Sequence, residues 1–323
     1  MKKIILAIVL LFTAYSSATA QQEGTLNIVD SIVEVKPWII KSLFGLNGSQ
    51  TAFVNWAAGG RNNISAIAFM DASAKYNKNK WMWESGVKLA LGGVLYQDSA
   101  GRKTGIQKTD DKIDLSTTVG YEFSKKNFYY TFVGGFRTQW LNGYNYPNDS
   151  SKISGFMSPG YVNISLGIEW KPKPWFNAYI SPVAGKITIV RDDSLANAGA
   201  FGVDGAKYAD DGVTMVAPGK HVRYEFGAYF RAQFEKEIAK NIQMKTKIEL
   251  FSNYLDHFGN IDINAENILT FKVNNWFSSS LQWNLVYDDD IKVLDRHGNF
   301  GPRTQFKSVL SLGISYTFIN VRD

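Results

Sequence analysis

Cysteine is absent from this chain of 323 residues, which also has only 8 prolines and 3 histidines. Without cysteine, disulfide frameworks and thiolate metal sites are excluded. No apolar run of about 18 residues follows the N-terminal segment, which disfavours a protein that crosses a membrane with helices. The formal net charge is +6, but the basic residues are spread along the chain and form no stripe that would bind nucleic acid.

The N-terminus has the three parts of a secretory signal peptide. Lys2 and Lys3 precede an apolar run, residues 4–12, and Ala18-Thr19-Ala20 supplies the small residues of a cleavage site. The run is shorter than the roughly 20 residues that a transmembrane helix needs. We therefore predict a signal peptide over residues 1–20 with cleavage after Ala20, and an exported mature protein.

The mature chain is dominated by alternation of apolar and polar residues with a period of two. From Val222 to Glu235, one face is apolar and aromatic, whereas the other is largely charged or polar. Successive side chains of a strand point to opposite faces, so this pattern predicts a long strand between an apolar and a polar environment. The same pattern recurs over residues 112–123, 161–170, 242–250 and 305–318.

Twelve strands are predicted in this way. They cover residues 46–56, 62–75, 80–97, 111–124, 127–141, 160–171, 174–190, 221–236, 241–254, 260–274, 276–289 and 303–319. The pattern is weakest in the first strand and in 174–190, where Pro182 and Lys186 interrupt it. Residues 21–45 alternate poorly, and we predict that they form a periplasmic N-terminal segment before a barrel over 46–323.

Strand length and loop length decide the fold class. A tilted membrane-spanning strand needs about 9–11 residues, which each segment supplies, and soluble sheets have shorter strands. Short polar turns alternate with long loops near residues 98–110, 142–159, 191–220 and 290–302. We therefore predict an all-β protein, an antiparallel transmembrane β-barrel of about 12 strands with short periplasmic turns and long extracellular loops. The alternative is a soluble β-sandwich, which the strand lengths and an aromatic content of 14% disfavour.

Several stretches resemble a known family, the uncharacterised outer-membrane β-barrels (a domain of unknown function) that are widespread in Bacteroidota. The similar stretches are Asn55–Gly60, Lys108–Lys112, Thr138–Trp140, Gly143–Tyr146, Ser154–Pro159, Ile261–Asn264, Lys272–Asn274 and Tyr287–Ile291. The resemblance covers about residues 45–320 and implies a barrel in the outer membrane of a Gram-negative bacterium. It implies no activity and no functional residues.

The polar faces of the predicted strands carry charges of both signs. The predicted lumen-lining residues are Glu84, Lys88, Asp114, Glu122, Arg137, Glu169, Arg223, Glu225, Arg231, Lys245, Lys247, Glu249 and Lys272. The inward faces also hold Glu235, Asp262 and Glu266. Such charges either pack the lumen as ion pairs or line a water-filled channel whose selectivity they tune. Barrels of about eight strands are filled by side chains, whereas barrels of about 16–18 strands enclose an open channel. A barrel of twelve strands lies between these two classes, and we expect a narrow or mostly occluded lumen.

Other constellations give weaker signals. Acidic pairs and triplets at Asp192, Asp210 and Asp288 occur in predicted loops and lack the spacing of a calcium loop, which favours a solvated rim. A serine nucleophile needs a base nearby, and Ser252 and His257 are close in sequence. Their spacing, however, matches no lipase pattern. We predict no catalytic residues, no metal and no cofactor.

Three functions remain open at this point. The first is a narrow porin-like conduit for small polar solutes or ions, and the second is a non-conducting structural or accessory subunit of envelope machinery. An outer-membrane lipid-modifying enzyme is a minor third. The expected surroundings are outer-membrane lipid and lipopolysaccharide, with no nucleic acid.

Overall fold

The computed structural model describes residues 37–52, 61–97, 103–124, 126–146, 148–294 and 299–322. The predicted signal peptide and the similar stretch Asn55–Gly60 lie outside these ranges. Twelve long strands dominate the described chain: β1 (Trp38–Thr51), β2 (Asn62–Lys78), β3 (Trp81–Gln97), β4 (Gln107–Ser124), β5 (Phe128–Thr138), β8 (Gly160–Lys173), β9 (Phe176–Ile189), β12 (Val222–Ala239), β13 (Ile242–Asn253), β14 (Asp262–Lys272), β15 (Phe277–Tyr287) and β18 (Gln305–Arg322).

These strands form one closed antiparallel barrel. The order around it is β1-β18-β15-β14-β13-β12-β9-β8-β5-β4-β3-β2. Closure joins the first strand to the last, and Trp38 pairs with Arg322 while Gly48 pairs with Leu312. The predicted fold class and strand number are therefore confirmed. A closed ladder pairs the backbone of every strand on both sides and leaves no strand edge.

The first strand begins earlier than predicted. β1 starts at Trp38 rather than near residue 46, so residues 38–45 belong to the barrel and not to the segment before it. Ile39 and Leu43 alternate with Trp38 and Phe44, and both faces are therefore partly apolar. This conceals the period of two that identified the other strands.

Pro182 lies at an irregularity between β8, β9 and β12. The register shifts on both sides of it, between Leu166 and Ile168 of β8 and between Gly227 and Tyr229 of β12. Proline cannot donate to a ladder and is accommodated at such bulges. The hydroxyl of Ser181 donates to the carbonyl of Leu166, with an Oγ–O distance of 2.7 Å. The bulge explains why the predicted alternation failed at this point.

The outer face of the barrel is apolar. Tyr224 and Phe226 alternate with charged neighbours on β12 and are 71% and 42% exposed. Leu310 on β18 is 72% exposed. Aromatic rings gather at the short-turn end, where Trp38 contacts Tyr76 and Trp83 at centroid distances of 5.0 and 5.6 Å. Such a surface is unfavourable in water.

Helices are few among the described residues. None of them is long and apolar enough to span a membrane.

The loops at one end of the barrel contain structure of their own. Six short strands form three hairpins: β6 (Gly143–Tyr144) with β7 (Lys152–Ser154), β10 (Lys207–Tyr208) with β11 (Met215–Ala217), and β16 (Lys292–Leu294) with β17 (Phe300–Pro302). Helix α1 (Asp193–Asn197) follows β9. Leu195 and Ala196 of this helix form a small apolar core with Val190 and Val203. The long loop between β9 and β12 is therefore folded.

Candidate functional site

An ion-pair network spans the barrel interior. Lys112 Nζ on β4 lies 3.4 Å from Glu266 Oε1 on β14. Five strands separate β4 from β14 in either direction around the barrel, so this contact crosses the full width of the interior. Asp114 and Arg137 complete a group of four, with Arg137 Nη2 lying 3.1 Å from Asp114 Oδ2 and 3.9 Å from Glu266 Oε1. We call these four residues the central quartet.

A second network lies nearer the long loops. Lys186 Nζ on β9 approaches three carboxylates: Glu225 at 3.5 Å, Asp262 at 2.9 Å and Asp288 at 3.3 Å. Arg223, next to this group, pairs with Asp290. Four of these six charged side chains belong to strands, and two come from the segment after β15. The network therefore ties the loops to the barrel wall.

Arg223 also contacts the folded loop between β9 and β12. Its Nη1 donates to the carbonyl oxygen of Gly202 at 3.2 Å. Gly202 has a φ of 82°, in the left-handed region that favours glycine. Because Asp290 follows β15, this contact joins two loops above the interior through one arginine.

A third group is almost completely buried. Glu169 on β8 is 1% exposed, and its Oε1 accepts from Arg231 Nη2 on β12 at 3.3 Å. Tyr179 on β9 lies between them with no exposed surface, and the Arg231 guanidinium stands 5.4 Å from its ring centroid. The Tyr179 hydroxyl lies 2.9 Å from Ser165 Oγ. A buried charge is tolerated here because a partner of opposite sign and an aromatic face accompany it.

The other predicted lining residues divide into pairs and single side chains. Lys247 Nζ lies 2.7 Å from Glu249 Oε1, and Lys245 Nζ lies 3.1 Å from Glu235 Oε2. Glu84 Oε1 lies 2.9 Å from Lys75 Nζ. Three other residues of the predicted set join no ion pair within the described ranges: Lys88, Glu122 and Lys272. In the strand register, Lys88 stands between Asp71 and Asp114.

Four charged members of the first two networks were not among the predicted inward-facing charges: Lys112, Lys186, Asp288 and Asp290. Lys112 is two residues from Asp114 on the same strand face, so its position could have been found from the alternation. Glu266, by contrast, was predicted to face inward from the alternation of β14. Lys186 was read as an interruption, since the bulge at Pro182 shifts the faces of β9 in a way that the sequence does not reveal.

Strands β15, β18 and β1 present mainly uncharged side chains to the interior, and Lys307 near the long-loop end of β18 is an exception. Ser280 and Ser311 are paired in the register, and their hydroxyl oxygens lie 2.8 Å apart. Asn47 Nδ2 on β1 donates to Ser311 Oγ at 3.2 Å. Gln282 and Asn284 continue this face of β15 toward the long loops.

A cavity of about 450 Å³ lies between the central quartet and this mainly uncharged wall. Its lining residues are Asp110, Asp111, Lys112, Arg137, Thr138, Gln139, Pro159, Tyr161, Asn264, Glu266, Gln282, Asn284, Val286, Gln305, Phe306 and Lys307. The volume is in the range of small-molecule pockets, about 300–1,000 Å³. Strand ends and loops from the long-loop half of the barrel form most of this lining.

The loop carboxylates have structural partners. Asp192 caps helix α1, accepting from the backbone N–H groups of Ser194 and Leu195, and its Oδ2 lies 2.7 Å from Lys152 Nζ. Hydrogen bonds from Lys152 and Ser194 hold the pKa of Asp192 well below its usual value. Asp211 accepts from the backbone of Val213 and Thr214. Within the described ranges, no group of three or more acidic or histidine side chains has the geometry of a metal site.

Ser252 and His257 are not joined in the described structure. Ser252 Oγ accepts from the backbone N–H of Gly259 at 3.4 Å, and His257 Nδ1 lies 2.6 Å from Asp256 Oδ1. The imidazole is mostly exposed. A serine nucleophile requires a base within hydrogen-bond reach, and this geometry does not provide one.

A comparison with family models finds a match that covers part of the chain. Residues 49–144 match the family described as a protein of unknown function (DUF3078). A search of curated proteins found no match.

Among the solved structures that resemble this chain are bacterial outer-membrane proteins. An outer membrane channel from Pseudomonas putida F1 has 11% identity and a TM-score of 0.38, and the match covers 90% of this chain and 100% of that one. The NanC porin has 9% identity and a TM-score of 0.31, covering 87% and 100%. Outer membrane phospholipase A from Escherichia coli has 8% identity and a TM-score of 0.34, covering 90% and 94%. TM-scores this low establish no common fold, and the architecture rests on the strand pairing described above.

Proposed function

We propose that this chain is an outer-membrane β-barrel that serves as a narrow conduit for small polar solutes or ions. Its closed barrel has strands of 11 to 18 residues, enough to cross a bilayer when tilted. The outer face is apolar and the inner face is polar. Strands satisfy all of their backbone hydrogen bonds in hydrocarbon only when the ladder is closed. These features support a membrane location, with the short turns in the periplasm.

The cavity beside the central quartet carries the proposal of a conduit. It holds about 450 Å³ of space inside the barrel and is lined by polar groups on both sides. A polar lumen with space for water lets hydrated solutes avoid the bilayer. The Lys112–Glu266 contact crosses the interior at this level, so the route past it is narrow.

A non-conducting structural role is the second candidate, and one observation favours it. The same Lys112–Glu266 contact, together with the loop contact of Arg223 to Gly202, obstructs the interior at two levels. A barrel closed in this way would act through its surface rather than its lumen.

Conductance of the purified protein in a planar bilayer separates the two candidates. A conduit gives reproducible current steps, whereas folded, inserted protein without current supports the structural role. In a conduit, Lys307→Gln leaves Asp110 without the ammonium that lies 3.6 Å away. We expect cation preference to rise by about twofold, since a unit charge about 8 Å from an ion in water contributes about 0.5 kcal/mol.

The matched control is Lys220→Gln. Lys220 is an exposed loop residue paired with Asp204, so this variant removes the same charge away from the cavity. Reversal potentials in a salt gradient should change in Lys307→Gln and stay constant in Lys220→Gln. An equal change in both would mean that total charge, and not the cavity, sets the selectivity.

A further inference from the structure

Every charged side chain that lines the cavity has a partner of opposite sign. Lys112, Arg137 and Glu266 belong to the central quartet. Asp110 pairs with Lys307, and Asp111 pairs with Lys108 at 3.2 Å. A charged solute would have to displace one member of such a pair. Otherwise no free opposite charge would offset the cost of removing the solute from water.

Several uncharged polar groups of the same cavity, by contrast, have no hydrogen-bond partner in the described structure. Gln282 Nε2 donates to Asn284 Oδ1 at 3.1 Å, which leaves the Gln282 carbonyl and the Asn284 amino group without partners in the described structure. Asn264 uses its amino group on Glu249, so its carbonyl oxygen is available. Within the described ranges, the Gln305 amide and the Tyr161 hydroxyl make no side-chain hydrogen bond.

These groups offer both donors and acceptors. Amide carbonyls accept, amide NH₂ groups donate, and a phenol does both. They come from β8, β14, β15 and β18 and border one space. A ligand hydroxyl can donate to one of these groups and accept from the next. Gln139, by contrast, is fully engaged by Lys108, Gly155 and Ser158 and offers nothing to a ligand.

We propose that this cavity is a binding site for an uncharged solute rich in hydroxyl groups, such as a small saccharide. The inference rests on the proposed conduit for its biological meaning, because it names the class of solute that the conduit would favour. Because its charges are paired, the cavity presents little net charge to an incoming molecule. The amide groups without partners can form hydrogen bonds with that molecule. Sites built to hydrogen-bond a hydroxyl discriminate strongly against analogues that lack it.

The test is block of the single-channel current by maltose. We expect maltose to reduce the current saturably, because an occupied cavity narrows the route past the central quartet. The comparison solute is tetraethylene glycol dimethyl ether, which is uncharged and accepts hydrogen bonds but donates none. It should lower the current only in proportion to solution viscosity. Maltose acting in the same unsaturable way would overturn the proposal.

Variants locate the site. Replacing Gln282 and Asn284 together by leucine should weaken the apparent affinity for maltose by about tenfold, as expected for two lost hydrogen bonds. Gln243→Leu is the matched control, since this amide lies at the short-turn end of β13 and does not line the cavity. Equal affinity in the double variant and the parent would overturn the assignment. If the double variant does not fold, Gln305→Leu replaces it.

Equilibrium dialysis separates this inference from the proposed conduit. Radiolabelled maltose is dialysed against the detergent-solubilised full chain, which requires no current. Saturable binding that the double variant loses supports the site even if the barrel does not conduct. A conducting barrel with no saturable maltose binding would retain the proposed function and overturn the site.

Discussion

Strands β8, β9 and β12 fill the interior in front of them, whereas β1, β15 and β18 line theirs mainly with uncharged side chains. On the first three strands, here called the packed side, Tyr179 and Ser181 have no exposed surface and Thr188 is 1% exposed. On the other three, here called the open side, Ser280 and Ser311 retain partial exposure. The cavity borders the open side and only touches the end of the packed side.

The difference shows how one barrel can combine a rigid wall with space for a ligand. Burying a carboxylate such as Glu169 costs several kcal/mol unless a cation accompanies it, and the packed side provides Arg231. Serine hydroxyls need no such partner because water can satisfy them. We therefore expect solute to move along the open side while the packed side supports the shape of the barrel.

The largest effect should follow from breaking the buried pair of the packed side. Arg231→Met leaves Glu169 buried, with only Lys171 nearby at 3.6 Å. We expect the free energy of unfolding to fall by about 3 kcal/mol, as for removal of one partner of a buried ion pair. Guanidinium unfolding of the protein in lipid vesicles, followed by tryptophan fluorescence, measures the loss.

The double variant Arg231→Met with Glu169→Leu is the control for this prediction. Because it removes the lone buried carboxylate, it should recover most of the lost stability. A loss below about 1 kcal/mol in the single variant would mean that water reaches Glu169, and the packed side would then not differ from the open side.

A smaller effect is expected in the loop that continues the packed side. Asp192→Ala removes the cap of helix α1 and the contact with Lys152. Loss of such a cap costs about 1 kcal/mol, and amide hydrogen exchange of Leu195 should accelerate about fivefold. Unchanged exchange would show that the apolar core around Leu195 holds the helix without its cap.

The pH dependence of the same loop follows from the lowered pKa of Asp192. In the folded loop this pKa lies below its usual value, so the carboxylate stabilises the loop fully above about pH 4, the range of an unperturbed aspartate. The stabilisation is lost as pH falls below that value toward the folded pKa. The difference in exchange between the parent and Asp192→Ala should therefore be constant from pH 7 to 5 and shrink in stronger acid. A difference that shrinks already near pH 6 would contradict the assigned partners.

The long strands could be predicted from the sequence because each separates two environments. Val222–Ala239 alternates clearly, and its predicted and observed bounds agree closely. β1 was placed too late because Ile39 and Leu43 make its second face partly apolar. The short hairpins of two or three residues are too brief to show any period.

The ion-pair partners could not be predicted from local sequence. Lys112 and Glu266 are 154 positions apart and meet only because closure and stagger bring opposite strands to the same level. The folding of the β9–β12 loop depends on four apolar residues spread over 190–203, which show no strand or long-helix period. The sequence therefore predicted that charged side chains lie inside the barrel, but it did not predict which of them form ion pairs.

The smallest effect is expected on the open side. Replacing Ser280 and Ser311 by alanine removes two hydroxyls that lie 2.8 Å apart. We expect stability to change by less than about 0.5 kcal/mol, since the backbone ladder is intact and no charge is left unpaired. The same vesicle unfolding assay measures it beside Arg231→Met. A loss of similar size in both variants would mean that the open side is packed as tightly as the other, and the route for solute would have to lie elsewhere.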